Sequence, residues 1–169
     1  MKRLILLLFT IVSFTSFSQL IESNWLNKEK PEMDKAIELS QKTNKPIMLF
    51  FTGSDWCGWC KKLVREVYKT PEFSKWAKKN VVLVDVDFPR RTKLSKDLIE
   101  QNNSLKNYFK PRGYPTVYFA KPVKGTDGNV QFKTLGQIGG VNPKSCGNEC
   151  YFQLNFSFRI KRYNVISAC

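Results

Sequence analysis

Cys57 and Cys60 stand two residues apart in Cys57-Gly58-Trp59-Cys60, between an apolar run at 46–51 and a helix-like stretch at 61–69. Two thiols at that spacing, where a helix begins, can switch between dithiol and disulfide with little backbone movement. A thiol there gains from the positive end of the helix dipole and from free backbone N–H groups, so its pKa falls and the reactive thiolate becomes accessible. Two other uses of such a pair stay open: a permanent structural bridge, or half of a zinc site. The chain has no histidine. That removes Cys-His nucleophilic catalysis, Ser-His-Asp triads and every histidine-containing zinc site.

The other cysteines are Cys146, Cys150 and Cys169, which makes five in all. The odd count leaves at least one free or paired between chains. Cys146 and Cys150 offer a strained local bridge, or an all-cysteine zinc site with Cys57 and Cys60, although their spacing suits zinc poorly. Lys2 and Arg3 precede an apolar stretch at 4–17, and Ser16-Phe17-Ser18 supplies a small-x-small cleavage site before Gln19. This is the pattern of a secretory signal over residues 1–18, too short and too interrupted for a confident membrane span. An uncleaved anchor is the alternative. No cysteine follows the apolar stretch directly, so a lipid anchor is not suggested. Export to the periplasm or the medium would put the cysteines in an oxidising compartment.

The formal charge is +14, or about +12 without Lys2 and Arg3. Such a balance favours anionic surfaces or partners. The cations are scattered, as in Lys61-Lys62, Lys78-Lys79 and Arg90-Arg91, with no basic-aromatic tract of the kind that marks nucleic-acid binding. A solvated basic surface is the expectation, with no nucleic-acid partner and membrane contact only through the signal.

The elements that must position the pair are legible. Residues 31–39 read as a helix, with Pro31 in its first turn and Met33, Ala36 and Ile37 on one face. Residues 47–51 form a continuous apolar run of the kind a central buried strand needs. The loop 52–56 then delivers the cysteines, and the next helix carries Leu63, Val64 and Val67 on one side. Thr70-Pro71 starts a helix with Phe73, Trp76 and Ala77 as its apolar face. Residues 81–87 read as a β-branched strand that Phe88-Pro89 breaks. A helix over 94–109 follows, with Leu94, Leu98, Leu105, Tyr108 and Phe109 as its buried stripe and Asn102-Asn103 as a candidate interruption. A turn at 110–115 and strands at 116–120 and 130–138 complete the order. The result is an α/β chain whose mixed central sheet has helices on both faces.

At this point the chain resembles the thioredoxin-like superfamily, and more closely its exported thioredoxin-domain proteins. The matching segments are Gly53-Ser54-Asp55-Trp56-Cys57-Gly58-Trp59-Cys60-Lys61, Glu66-Val67, Val84-Asp85-Val86-Asp87-Phe88-Pro89 and Gly113-Tyr114-Pro115-Thr116. The resemblance covers roughly residues 25–140, inside a domain expected at 19–140. It implies a thioredoxin fold and a cis peptide at Pro115 beside the cysteine pair, with Tyr114 offering its backbone to an extended substrate. Trp56, Gly58 and Trp59 complete the surface that a partner would meet.

The chain departs from the family twice. The buried acidic residue that thioredoxins keep below the cysteines falls at Phe50 or Phe51, so a buried carboxylate is expected to be absent. Asp55 is a nearby candidate substitute, although loop solvation or capping is the job more expected of it. The family's last helix is also missing, and the atypical segment 141–169 contains an alternating stretch at 151–160 that favours a strand.

These readings converge on an exported thiol–disulfide oxidoreductase. Cys57 is the nucleophile and Cys60 the resolving thiol. No cofactor is expected beyond the cysteines, and the partners are protein thiols and disulfides together with an envelope electron donor of unknown identity. Potentials for thioredoxin-like pairs run from about −270 mV to about −120 mV, and a pair with no histidine between its cysteines belongs in the reducing half. The rival is a binding module on the same scaffold, with Cys57–Cys60 as a permanent bridge.

Overall fold

The computed structural model describes residues 25–28, 30–125 and 129–139. The signal pattern, Cys146, Cys150, Cys169 and the whole segment 141–169 lie outside the described residues.

The elements are β1 (Trp25–Leu26), α1 (Met33–Thr43), β2 (Ile47–Thr52), α2 (Gly58–Leu63), α3 (Pro71–Asn80), β3 (Val82–Asp87), α4 (Lys96–Phe109), β4 (Thr116–Lys124) and β5 (Val130–Gly139). The sheet order is β1-β3-β2-β4-β5. β1 and β2 run parallel to β3, while β4 runs antiparallel to both β2 and β5. β2 is therefore central, and all six of its residues are buried. An unbroken apolar run is what a strand covered on both faces demands.

Alternation along β2 feeds two cores. Ile47, Leu49 and Phe51 join Val84, Val86, Leu105, Phe109 and Tyr118 under α1 and α4. Met48 and Phe50 join Leu63, Val67, Phe73, Leu83 and Val117, together with Cys57 and Cys60, under α2 and α3. Each fully buried side chain of this size contributes roughly 1.5–3 kcal/mol.

Several elements differ from the sequence expectation. β1 has no local signal: two residues carry no periodicity, and the strand exists only through its pairing of Trp25 with Leu83 and Leu26 with Val84. α1 starts two residues later than Pro31. α2 starts at Gly58 and passes into a π-helical turn over Val64–Tyr68, where the Lys69 N–H donates to the Val64 carbonyl at 2.9 Å. Asn102-Asn103 does not interrupt α4. Asn102 is buried, its amide donating to the Asp87 carbonyl (2.9 Å) and accepting from Asn27 (2.8 Å), so it ties the helix to β3. Tyr108 leaves the buried stripe: it is 51% exposed and its hydroxyl accepts from the Phe132 N–H on β5 at 3.0 Å.

α3 begins as its sequence dictates. Thr70 precedes Pro71, and its Oγ1 accepts the Phe73 N–H at 3.2 Å. Replacing Thr70 with Ala is expected to lower stability by about 0.5–2 kcal/mol in urea titration, because one helix-end donor loses its partner.

Candidate active site

The loop between β2 and α2 is a tight reversal. The Cys57 N–H donates to the Gly53 carbonyl at 2.8 Å, and the Trp56 N–H to the same oxygen at 3.3 Å. Gly53 is required here, since a Cβ would lie 2.3 Å from the Trp56 ring. Cys57 caps α2 and is bonded to Cys60 as a disulfide, with Cα atoms 5.2 Å apart. The Cys57 sulfur accepts the Cys60 N–H at 3.1 Å. Cys57 is 6% exposed and Cys60 only 1%, so Cys57 is the more open of the two.

Trp56 and Trp59 flank the bridge, 36% and 45% exposed. The Trp56 Nε1–H donates to the Phe88 carbonyl at 2.7 Å. Tyr114 meets Trp56 edge to face at 5.7 Å and stacks on Phe88 at 5.6 Å. The Tyr114–Pro115 peptide is cis. β5 closes over this turn at Gly139, where φ is +97° and a Cβ would come within 2.4 Å of the Pro115 carbonyl oxygen. The structure thus brings Trp56, Cys57 and Tyr114 to one end of the sheet, with Gly58 and Trp59 opening α2 beside them.

Of the two carboxylates near the pair, Asp55 has the loop-capping job expected of it, and the second overturns the expectation that no buried carboxylate is present. Asp55 does not act as a buried acid. Its oxygens accept the backbone N–H groups of Arg90 (3.0 and 3.1 Å), Arg91 (2.6 Å) and Thr92 (3.0 Å). Those bonds, the one to Arg90 foremost, hold its pKa down at about 2. The tether is therefore fully formed above the unfolded value of 3.8 and is lost only as pH falls through about 2. Asp55→Ala is expected to speed amide hydrogen exchange at Arg90, Arg91 and Thr92 while leaving β2 protected; unchanged exchange there would count against the tether.

A buried carboxylate does exist, on β3 rather than β2. Val82, Val84 and Val86 point into one core and Leu83 into the other, so alternation turns Asp85 towards the face that carries the cysteines. It sits opposite Phe50 in the register. The residue keeps some exposed surface, yet its Oδ1 is sealed from solvent and has no hydrogen-bond partner. Burial, reinforced by the negative Asp87 two residues on, pushes its pKa up to about 7. Asp87 itself is engaged, accepting the Ser54 N–H at 2.8 Å. Sequence reasoning passes over Asp85 because it looks for an acid on the central strand. The available signal is parity with Leu83 in a β-branched strand.

Among the described residues no helix is long and apolar enough to cross a membrane.

The family model described as thioredoxin-like matches residues 24–122. The chain is 39% identical over 85 residues to the disulfide bond reductase DsbH of Chlamydia pneumoniae, covering 50% of this chain and 51% of that protein. It is 32% identical over 86 residues to the thioredoxin-related protein DsbJ of the same organism, covering 51% of this chain and 25% of that one. The chain thus matches about half the length of the first and a quarter of the second. Among solved structures, a DsbH oxidoreductase superposes with a TM-score of 0.58 at 28% identity, covering 82% of this chain and 89% of that one. A thioredoxin from Thermus thermophilus gives 0.50 at 18% identity over 80% and 84% of the two chains, a likeness of fold alone.

Proposed function

The chain belongs to the thioredoxin-like family, and on that premise we propose that it is an exported thiol–disulfide oxidoreductase working on the reducing side. Cys57, as thiolate, attacks one sulfur of a partner disulfide. A mixed disulfide forms and the partner's other sulfur leaves as thiolate. Cys60 then loses its proton and attacks the Cys57 sulfur, which releases the reduced partner and regenerates the Cys57–Cys60 bridge. An envelope reductant of unspecified identity returns two electrons for the next turn. Cys57–Cys60 is the only redox group the cycle requires, and the partners are proteins that carry thiols or disulfides.

The observation that carries this reading is the bridge at the start of α2, with its more accessible sulfur already accepting a backbone N–H. That N–H and the helix end favour a negative sulfur once the bridge is reduced. Asp85 gives the same face a carboxylate able to take a proton near neutral pH. Trp56, Gly58, Trp59, Tyr114 and Pro115 form the surface against which a partner segment lies. DsbH, a relative of the chain, is a disulfide bond reductase, which supports the direction, and the signal pattern supports export.

The test is insulin reduction by the purified chain with dithiothreitol, followed by turbidity, alongside the potential of the bridge in glutathione buffers. Faster precipitation than dithiothreitol alone, and a potential in the reducing half of the range, are expected. A bridge that stays oxidised in dithiothreitol and gives no rate gain would instead favour a binding module with a structural disulfide.

A further inference from the structure

Beside the bridge, the Arg90 guanidinium lies over the Trp56 ring, 4.2 Å from its centroid. Both ends of this stack are fixed. Trp56 is held by its bond to the Phe88 carbonyl, and the Arg90 backbone by the Asp55 carboxylate. Arg90 is exposed, and its side chain enters neither of the two ion pairs among the described residues, Lys35–Glu32 and Arg65–Glu66. Stacking orients a guanidinium but leaves its in-plane N–H groups directed outward, and those groups match a carboxylate in bidentate fashion. Arg91 is exposed next to it, and the Lys61 ammonium reaches the Asp55 carbonyl at 2.8 Å. Asp55, the acid that holds the Arg90 backbone, is already engaged by the backbone N–H groups of Arg90, Arg91 and Thr92.

We propose that the Trp56–Arg90 stack is a carboxylate-recognition edge, which selects partner segments that carry an Asp or Glu close to the cysteine that Cys57 attacks. This rests on the oxidoreductase reading for its substrate, though the binding it describes does not require turnover. The partner is an acidic peptide segment. Its carboxylate docks on Arg90, its neighbouring residues lie along Trp56, and its sulfur comes to Cys57. The basic surface adds a steering field that salt screens, whereas the stacked pair supplies a local contact.

The experiment uses two disulfide-bonded peptides that differ only in Glu or Lys on both sides of one cysteine, and the same two peptides with serine for cysteine. Reduction of the first pair is followed with the dithiothreitol-reduced full chain. Binding of the serine pair is followed by tryptophan fluorescence. At low salt the Glu peptides are expected to be favoured about three- to tenfold in both assays, as one well-formed exposed charge pair permits. Arg90→Gln should remove most of that preference and Arg90→Glu should reverse it, while Lys75→Gln on α3, an equal loss of charge, should leave it in place. Equal binding of the Glu and Lys peptides would overturn the proposal, and so would a preference that Arg90→Gln does not change. If neither disulfide peptide is reduced, the oxidoreductase reading fails and the serine-peptide titration still decides the carboxylate edge.

Discussion

Replacing Cys57 with Ser is expected to bring insulin reduction down to the rate of dithiothreitol alone, and Cys60→Ser is expected to accumulate a mixed disulfide instead. The two variants should differ because the proposed cycle gives the two sulfurs different work. Cys57 is the more exposed, caps α2 and accepts the Cys60 N–H, and the proposed cycle therefore gives it the first attack. Cys60 is sealed, and its attack is intramolecular. Without it the mixed disulfide waits for an external thiol, which slows release. Non-reducing gels and intact mass after incubation with a disulfide substrate read the trapped species. Equal trapping by the two variants would remove the assignment. The Cys57 thiol should also titrate below about 8.5 in the Cys60→Ser chain, read by thiolate absorbance, since it lies at a helix N-terminus.

Replacing Asp85 with Asn is expected to raise thermal stability at pH 8 and to leave it nearly unchanged at pH 4. The folded chain holds this carboxyl protonated up to about pH 7, whereas the unfolded chain ionises it from about 3.8. Between those values the unfolded state binds fewer protons than the folded state, so stability falls as pH rises. Below 3.8 both states are protonated and the group costs nothing. Above 7 the loss is complete, and by linkage it is on the order of 4 kcal/mol at most. Asn keeps the shape without the titration, so its advantage should open across this window. Melting curves of both chains from pH 4 to pH 8 test it. A difference in melting temperature independent of pH would mean that Asp85 ionises normally in the folded state. If Asp85 also accepts the Cys60 proton, the variant will be more stable and slower to release its partner, a separation that a purely structural acid would not produce.

The local signals for the fold are strong where one residue type has one physical use. The all-apolar 47–51 run is a doubly covered strand because a half-exposed strand alternates. Thr70-Pro71 fixes a helix start because a hydroxyl acceptor and a proline without N–H both suit that end. Cys57 and Cys60 are legible as a pair from spacing alone, and Gly113-Tyr114-Pro115-Thr116 as a turn entering a strand. Signals fail where structure comes from partners distant in sequence. β1 has two residues and exists through β3. Asn102 looks like a helix breaker until residue 27 and β3 supply its bonds. Tyr108 looks apolar until β5 offers its backbone.

By itself the sequence determined the cysteine pair, the central strand and the order of elements after β1, because each is written in neighbours a few residues apart. Only the tertiary structure decided which acid is buried and which is spent. Asp55 and Asp85 are the same residue type, both close to the site. Asp55 ends as a saturated loop tether, since the 90–92 backbone folds onto it. Asp85 ends as the buried acid, since parity on β3 turns it into the cysteine face opposite Phe50. Parity on β3 gives Asp85 its direction, but the packing that buries one acid and the loop that saturates the other come from elements elsewhere in the chain.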